Sequence, residues 1–536
     1  MKNKDIVSRF DALFNERQGT VDGTWNLVER FVMPLRGEFY TSLSSEGEVD
    51  WRRREIYDST AVFAAQSLAA AMQSNLTNPS QRWFDLRFRN AELNTETVVR
   101  DWLETCTDLM YQALEESNFS VEISEAYTDL VGYGTAVVTE EIDETGELLF
   151  STNPLRDLVF DQDHKKDVHT LYRRLQWTPI QIVSKFGDKV PDKIKKKAES
   201  PQTMTEEIIF CVYPRKDKAA DPNKPTAPKE RPYGYKYVLK NGLETLGEEG
   251  GYYEMPSYVA RWRTVAGSKW GKSPAIDAMG DILTLNQLKE ATLEAAGKAI
   301  DPAQLVEDGA LIGDLNLDRG SKTVMVDING IRPNESGTRF DVSNMEVSDH
   351  REMIRNHFFQ NQLELKESPA MTATEVNVRY ELMQRLIGPA LSRLKHDLLN
   401  PMVQRTFNIM YREGKLPPLP EGIEESRLNI EYTGPLARAQ KSGTADAIMR
   451  WLGESAQLSE AYPDARELPN AEEGLRIVAE LRGVPIDAVR SEQELNMMRQ
   501  QRQEQQAQAQ QMQALTEGAG ALESAGKGVQ ALSAVE

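Results

Sequence analysis

Residues 372–412 read TATEVNVRYELMQRLIGPALSRLKHDLLNPMVQRTFNIMYR and decide the fold. Apolar side chains recur in this stretch every three or four residues, which is the period of a helix with one buried face. They are Val376, Tyr380, Met383, Ile387, Leu391, Leu394, Leu398 and Met402. Thr372 and Glu375 form a capping box that predicts where the helix begins. Roughly 40 residues at about 1.5 Å each make a helix of about 60 Å, long enough to join separate parts of the molecule.

Prolines interrupt this predicted helix at two positions. Pro389 and Pro401 each remove an intrahelical hydrogen bond, so we expect a kink at each. Gly414 and the prolines that follow it, Pro417 and Pro418, predict where the helix ends. The sequence therefore predicts a long, kinked helical beam.

Length and charge limit the class of protein. A chain of 536 residues is too long for one core and suggests three or four structural units. Its formal net charge of −20 opposes tight binding of nucleic acid by phosphate neutralisation. Any contact with nucleic acid is therefore expected to be local or loose.

Cysteine content and hydropathy indicate the compartment. Cys106 and Cys211 are the only cysteines, and we expect both to be reduced, which is typical of the cytoplasm. The first residues mix charged and apolar side chains, and no apolar run reaches the roughly 18 residues that a membrane span needs. We therefore expect neither a signal peptide nor a membrane span.

The remaining periodicities predict an α+β fold that is mainly helical. Helical patterns cover most of residues 1–130, with a strand at Trp83–Phe88. From Thr135 to Arg263 the period becomes two, which predicts a mostly antiparallel sheet. The predicted strands there are Val137–Thr139, Leu148–Phe150, Leu158–Phe160, Ile208–Phe210 and Tyr235–Leu239, the last followed by an Asn241-Gly242 turn.

Two helices bracket a small β-rich insert in the next part of the chain. Ser273-Pro274 predicts a helix to about Ala299, and a second helix is predicted over Val347–Leu365. Residues 303–345 between them predict short strands, one at Val324–Val326. After the long helix we expect a strand at Asn429–Tyr432, helices to about Val489 and a tail, Ser491–Glu536, that is a poor core former.

Three sets of residues suggest chemistry, and each has a simpler interpretation. Gly267-Ser268-Lys269-Trp270-Gly271-Lys272-Ser273 resembles a phosphate-binding loop, but three residues separate its glycines where four are needed. We therefore favour a turn that leads into a helix. Asp161, Asp163 and His164 suggest a metal site, but the neighbouring lysines favour a solvated loop. His350 and His357 should share one helix face, either as a weak metal site or, preferably, as a polar surface.

Four stretches together carry a resemblance to a known family. They are Asp58 to Leu76 with Asn78-Pro79 and Trp83-Phe84; Arg261-Trp262 leading to Trp270-Gly271-Lys272-Ser273-Pro274 and Leu285-Asn286; Thr372 to Val403; and Glu431-Tyr432-Thr433-Gly434-Pro435-Leu436-Ala437. Their order and spacing, over most of residues 20–490, resemble the portal protein, or head-to-tail connector, of short-tailed, T7-like bacteriophages.

The resemblance implies a portal-type fold assembled as a ring of about twelve subunits around a DNA channel at one capsid vertex. Mapped by order, it implies a wing over residues 1–265, stem helix one over 266–302, a clip over 303–345, stem helix two over 346–365, a tunnel loop over 366–372, a long wing helix over 373–420, a crown over 421–500 and a Gln/Ala-rich tail over 501–536.

The resemblance places the channel-facing side chains in the tunnel loop. They are Lys366, Glu367, Ser368, Pro369, Ala370 and Met371. Pro369 disfavours helix at Ser368, and the Thr372 cap restarts the helix at once, so a short break between two helices should move as a lever. Lys366 and Glu367 would form a nearly neutral collar that touches phosphates only briefly. The alternative is a buried connector between two helices.

The implied function is the packaging and ejection of a double-stranded DNA genome and attachment of the tail. The implied partners are further copies of the chain, capsid protein and scaffold, a terminase packaging motor, and tail or adaptor proteins at the clip. The expected location is the head-tail junction of the virion, after assembly in the host cytoplasm. No catalytic residue, cofactor or metal is predicted. The alternatives are a large non-catalytic helical scaffold and an enzyme with a helical lid.

Overall fold

The computed structural model describes residues 1–36, 55–90, 93–143, 145–199, 204–215, 226–309, 329–334, 340–360, 387–420, 428–432, 435–462, 468–481 and 497–501, with single positions at 312, 324, 326, 490 and 495. The chain divides into two compact units, Met1–Leu436 and Ala437–Glu536, fewer than its length suggested. One continuous apolar core, which runs from Val21 to Leu416, accounts for the small number of units.

The helices lie largely where the periodicity predicts them. In chain order they are α1 (Asn3–Thr20), α2 (Asp22–Phe31), α3 (Thr60–Leu76), α4 (Thr97–Glu116), α5 (Phe119–Tyr133), α6 (Pro179–Phe186), α7 (Asp192–Ala198), α8 (Pro274–Asp277), α9 (Met279–Ile300), α10 (Phe340–His357), α11 (Asn400–Arg412), α12 (Pro435–Ala461) and α13 (Ala471–Leu481). Short 3₁₀ turns lie at Leu93–Thr95, Leu155–Asp157 and Gly187–Lys189.

The strands pair in antiparallel fashion throughout the described residues, which confirms the predicted sheet type. They are β1 (Phe84–Phe88), β2 (Thr135–Ile142), β3 (Leu148–Thr152), β4 (Leu158–Gln162), β5 (Val168–Trp177), β6 (Glu206–Pro214), β7 (Tyr233–Leu239), β8 (Thr245–Tyr252), β9 (Ser257–Arg261), β10 (Arg263–Thr264), β11 (Gly271–Lys272), β12 (Gln304–Val306), β13 (Ile331–Pro333) and β14 (Leu428–Tyr432). β4 to β8 form one sheet in sequence order, and β3-β2-β9 form another.

The five-stranded sheet carries α1 on one face. Ile6, Phe10 and Leu13 of α1 belong to one buried cluster with side chains of that sheet. Arg17, near the end of α1, is 1% exposed and donates to the carbonyl oxygens of Leu158 at 2.9 Å and Arg156 at 2.8 Å. The N-terminal helix is thus held by apolar burial and by a guanidinium that satisfies backbone acceptors next to the sheet.

The larger core joins the two sheets to the surrounding helices. Trp25 of α2 and Trp270 lie edge to face with ring centroids 5.1 Å apart, and Phe160 meets Trp270 at 4.6 Å. Trp25 also donates its indole N–H to the carbonyl oxygen of Tyr133 at 2.9 Å. These aromatic contacts connect α2, α5 and the five-stranded sheet through a single buried cluster.

The described part of the long helix is interrupted at the predicted proline. Residues 387–394 are helical, Lys395–Leu399 form a π-helical turn, and α11 follows with Pro401 in its first turn. In an α-helix the Pro401 ring would clash with the carbonyl of Asp397, and a wider turn relieves that clash. The predicted capping box of Thr372 and Glu375 lies outside the described residues. Pro389 lies within the described helical residues, but residues 361–386 before it are outside them, so the kink predicted at Pro389 stays a prediction.

Two predictions for the middle of the chain were wrong: the range of the second helix and the strand at Val324–Val326. α10 begins at Phe340 and ends at His357, whereas a helix over Val347–Leu365 was predicted. It ends early because Phe359 has a positive φ of 57°, a conformation that a helix cannot continue through, and its ring stacks on Trp262 at 6.4 Å. Val324 and Val326 are not in a strand; the described strands of the insert are β12 and β13.

The second unit contains α13 and all but the start of α12. Gly474 of α13 lies against α12, where an added Cβ would be 3.4 Å from Leu452 and 3.5 Å from Ile448. Trp451 and Leu458 of α12 are 52% and 53% exposed. The predicted helical region is thereby confirmed over these helices, and most of the predicted tail lies outside the described residues.

A buried carboxyl group attaches the chain after α2 to α5. Asp129 is fully buried, and its Oδ2 accepts from Arg36 Nη2 at 2.7 Å. Its Oδ1 has no hydrogen-bond partner within the described residues. Burial, opposed by Arg36, raises the pKa of Asp129 to about 6. The folded protein therefore binds this proton more tightly than the unfolded chain, where an aspartate has a pKa of about 3.9.

We predict that Asp129→Asn changes the pH dependence of stability. The contribution of Asp129 is favourable at low pH and is lost as the pH rises from about 4 through about 6, because the folded state then buries an ionised carboxylate. The melting temperature of the variant should therefore increase relative to wild type over that window. Thermal unfolding checks this, with Glu125→Gln as the control, because Glu125 is the more exposed partner of Arg36. A constant difference at every pH would contradict the assignment.

Candidate functional site

The stretch that resembles a phosphate-binding loop is a turn that leads into a helix, as the simpler interpretation predicted, and two short strands flank the turn to form a hairpin. β10 and β11 pair across the turn at Gly267, and Trp270 is 2% exposed in the core. Ser273 caps α8 by accepting from the Ile276 N–H at 3.1 Å and donates to the Gly132 carbonyl at 2.6 Å. The serine hydroxyl is thus occupied by protein groups, and Lys272 is part of β11.

Gly271 is required where this hairpin meets β2. Its N–H donates to Thr135 Oγ1 at 2.9 Å. A Cβ added at Gly271 would lie 1.8 Å from the carbonyl oxygen of Gly134, a backbone atom that cannot rotate away. The hairpin therefore fixes the start of α8 and α9 against β2 through backbone contact.

α9 and α10 form the helix pair that brackets the insert. Ile282 and Leu285 of α9 are buried in the main core together with Val347 and Ile354 of α10. Asp281 of α9 faces both histidines of α10, with His350 Nδ1 3.2 Å from Oδ1 and His357 Nε2 3.4 Å from Oδ2. The expectation that these histidines share one helix face is confirmed, and a carboxylate of the partner helix occupies that face.

The far half of this helix pair is exposed. No residue of α9 after Leu288 is buried, and Leu293 and Ile300 are 56% and 85% exposed. In the insert beyond it, Leu305 of β12 is 57% exposed. A single chain therefore leaves apolar side chains of this region in water, which is typical of surfaces that contact another protein.

The long helix is attached to β9 by an ion pair at its π-helical turn. Arg261 Nη2 lies 3.1 Å from Asp397 Oδ2, and both side chains are 10% exposed. A cavity of about 400 Å³ lies beside this pair and is lined in part by Arg405 and Glu254. Arg405 donates to Glu254 Oε2 at 3.2 Å, so charged side chains of the cavity wall are already paired with each other.

A second cavity of about 630 Å³ lies between α10 and residues 387–394. Its wall includes Trp262, Phe359 and His357, together with Arg263 and Asp277, whose charged atoms are 2.9 Å apart. The wall is thus part aromatic and part ion pair. The ion pair lies between the hairpin and α8, where it supports their packing.

The acidic stretch at residues 161–167 is a solvated turn. Asp163 Oδ1 accepts from the backbone N–H groups of Lys165 at 2.8 Å and Asp167 at 3.0 Å. Asp161 pairs with Arg9 at 2.7 Å. The searched part of the chain, which is limited to the described residues, contains no group of three or more His, Cys, Asp or Glu suited to a metal ion. Nor does it contain a helix long and apolar enough to cross a membrane.

The predicted tunnel loop cannot be placed in the same way. Lys366, Glu367, Ser368, Pro369, Ala370 and Met371 lie outside the described residues. The nearest described helical residues are those of α10, which ends at His357, and those that begin at residue 387. The role of the six tunnel-loop residues therefore stays a prediction.

Comparison with known proteins decides the family. The family described as bacteriophage head to tail connecting protein matches residues 3–489. The chain belongs to this family. The family resemblance seen in the sequence is thereby confirmed, and the match spans the helix pair, the insert and the long helix.

Two relatives cover nearly the whole chain. It is 28% identical over 537 aligned residues to a probable portal protein of Bordetella phage BPP-1, covering 97% of this chain and 94% of the relative. It is 25% identical over 513 aligned residues to the portal protein of Salmonella phage epsilon15, covering 93% and 90%. A chain from the virion of a native gene transfer agent particle covers 82% of this chain at 12% identity and a TM-score of 0.35; 94% of that chain is covered.

Sequence reasoning missed the carboxylates that join these elements. Asp397 follows Leu394 by three residues and precedes Leu398, so it lies on the predicted apolar face of the long helix. A charge at such a position indicates a buried partner, and this signal could have identified the pair with Arg261. Asp281 carried no comparable signal, because its histidine partners are about 70 residues away in sequence.

We predict that Gly271→Ala strongly destabilises the protein. The added Cβ would overlap the Gly134 carbonyl, so the hairpin must move from β2 at a cost of about 3 kcal/mol or more. Gly280→Ala is the matched control, because nothing lies within 4 Å of its Cβ and it is in a helix. The control should gain up to about 1 kcal/mol. Urea unfolding measures both; equal effects would show that the hairpin contact is not essential.

Proposed function

We propose that the chain is the subunit of a closed ring of about twelve copies that forms the portal at one capsid vertex and joins the head to the tail. Membership of the head-to-tail connecting family and the two portal protein relatives support this assignment. The observation that carries it is the helix–insert–helix layout of α9, the β12–β13 pair and α10, with its exposed far half.

The exposed surface of α9 favours assembly with further copies of the chain. Leu293 and Ile300 are 56% and 85% exposed in one chain. Heterologous contacts between identical subunits, repeated around an axis, would bury such side chains and close a ring. We place the stem at residues 266–302, which contain α9, and at residues 346–365, which contain most of α10. We place the clip at residues 303–345, the wing at residues 1–265 and 373–420, and the crown at residues 421–500.

The proposed ring would conduct double-stranded DNA during packaging and ejection. With a charge of −20 per chain, about twelve copies carry roughly −240, and acidic rings in a channel repel a duplex more than they hold it. The proposed partners are capsid protein and scaffold, a terminase motor, and tail or adaptor proteins at the clip. The motor would supply the chemistry, and the chain itself the channel, at the head-tail junction of the virion and, before that, in the host cytoplasm.

We predict a particle of about twelve 60.5 kDa chains, roughly 0.7 MDa, by light scattering. Leu293→Glu should remain folded, because this side chain is exposed in one chain, but should give smaller particles, because a carboxylate would be buried between subunits. Thr284→Glu is a control for a new charge on the same helix. A wild-type monomer, or open filaments in electron micrographs, would overturn the ring and favour a helical scaffold.

We predict a separate role for the tunnel loop. Lys366→Glu with Pro369→Gly should leave rings intact but alter how much DNA is packaged or retained, because the first change makes the proposed collar acidic and the second loosens its hinge. Lys193→Glu, at an exposed position of α7, controls for the charge change alone. Genome length and retention in assembled particles are the measurements. Unchanged values would favour the buried-connector alternative.

A further inference from the structure

Residues 55–58, here called the strap, contact four helices within four residues of chain. Asn286 of α9 brackets the strap backbone: its Nδ2 donates to the Glu55 carbonyl at 3.0 Å and its Oδ1 accepts from the Tyr57 N–H at 2.8 Å. One turn further along α9, Glu290 Oε1 accepts from the Tyr57 hydroxyl at 3.1 Å. A side-chain amide that bonds both an N–H and a C=O fixes the path of an extended segment.

The other end of the strap joins α10 to the start of α3. Asp58 Oδ2 accepts from Arg351 of α10, with Nη2 at 2.7 Å and Nε at 2.9 Å. Asp58 Oδ1 accepts from the Thr60 N–H, the first residue of α3, at 3.0 Å. Partial burial raises the pKa of Asp58, but the bonds from Thr60 and Arg351 outweigh it and hold that pKa below its usual range.

The strap also contacts α2. Glu55 pairs with Arg30 near the end of that helix. Each of the three polar strap residues therefore bonds to a different set of helices: Glu55 to α2 and α9, Tyr57 to α9, and Asp58 to α3 and α10. Asp58 and Asn286 both lie in stretches that carry the family resemblance, and neither has a role in the proposed function.

We propose that the strap is a mechanical link through which a movement of α9 and α10 reaches α2 and α3. Hydrogen bonds act over a narrow range of distance and direction, so a shift of either helix must carry the strap along or break its bonds. Apolar contacts between the same helices tolerate sliding, because burial has no preferred direction. The strap thus adds directional contacts between the helix pair and α2 and α3, which also pack directly against that pair. The link does not depend on ring assembly.

Cooperativity distinguishes a link from a set of local contacts. If the strap opens as one unit, loss of either anchor exposes the whole strap, and loss of the second anchor adds little. If the contacts are independent, each loss affects chiefly the nearest amide, and the effects multiply at any amide that both losses reach. The amides of Tyr57 and Thr60 report these two cases, because one donates to Asn286 and the other to Asp58.

Amide-resolved hydrogen exchange on the full chain tests the proposal. Asn286→Ala and Arg351→Gln, separately, should each speed exchange of both the Tyr57 and the Thr60 amides at least fivefold. The double variant should exchange no more than about twofold faster than the faster single variant. Arg9→Gln is the matched control, because it breaks another Arg–Asp pair, that with Asp161, away from the strap.

Purely local effects would overturn the link: Asn286→Ala would then change only the Tyr57 amide and Arg351→Gln only the Thr60 amide. If both single variants speed exchange of the same amide and the double variant shows the product of the two effects, the link is overturned as well. Arg351→Lys provides a second test if Arg351→Gln unfolds, since it keeps the charge but loses the paired N–H donors. It should speed exchange of both amides by a smaller factor, and an effect on Thr60 alone would count against the proposal. Particle mass, measured on the same samples, separates this outcome from failure of the ring.

Discussion

The structure depends on one fully buried carboxylate, Glu140 of β2. Its oxygens accept from the Tyr258 hydroxyl of β9 and from the Thr406 hydroxyl of α11, the latter at 2.8 Å. Arg405 of α11 donates to the Glu140 carbonyl oxygen at 3.4 Å. Burial raises the pKa of Glu140, with Arg405 opposing the shift. A carboxyl group in such a site requires these donors, so α11 docks on the sheet in one register only.

The position of α11 in turn determines where the rest of the long helix lies. Arg412 and Arg405 both reach Glu254, before β9, and Arg261 of β9 reaches Asp397 in the π-helical turn. The ion pair and Pro401 act on the same turn, since the proline needs a widened turn and Asp397 orients it. Residues 387–394, which precede this turn, are therefore held at a defined position relative to the sheet.

Sequence reasoning succeeded where one physical effect dominates. The start of α8 at Pro274 and the end of α9 at Ile300 follow from the Ser273-Pro274 signal and from apolar periodicity, because burial of one face selects a helix, although Ala278 divides the single predicted helix in two. β8 was missed because its glycines and glutamates disfavour a strand. The Tyr235 ring of β7, in its present position, requires glycine opposite it: a Cβ at Gly250 would lie 2.1 Å from that ring. This requirement arises from a neighbouring strand and leaves no signal in the local sequence.

In the candidate site, too, features that lie within one segment were predictable and contacts between distant segments were not. The turn that leads into α8 and the shared face of His350 and His357 followed from the pattern within one segment. Their partners, Gly134 and Asp281, come from distant parts of the chain, so only the structure could identify them.

Buried ion pairs add little net stability, yet loss of one partner costs about 3–5 kcal/mol. Pairs such as Arg261–Asp397 therefore act mainly by excluding other arrangements of the helices. In the proposed ring, where each subunit would repeat the same contacts, such exclusion would matter more than the stability of a single chain.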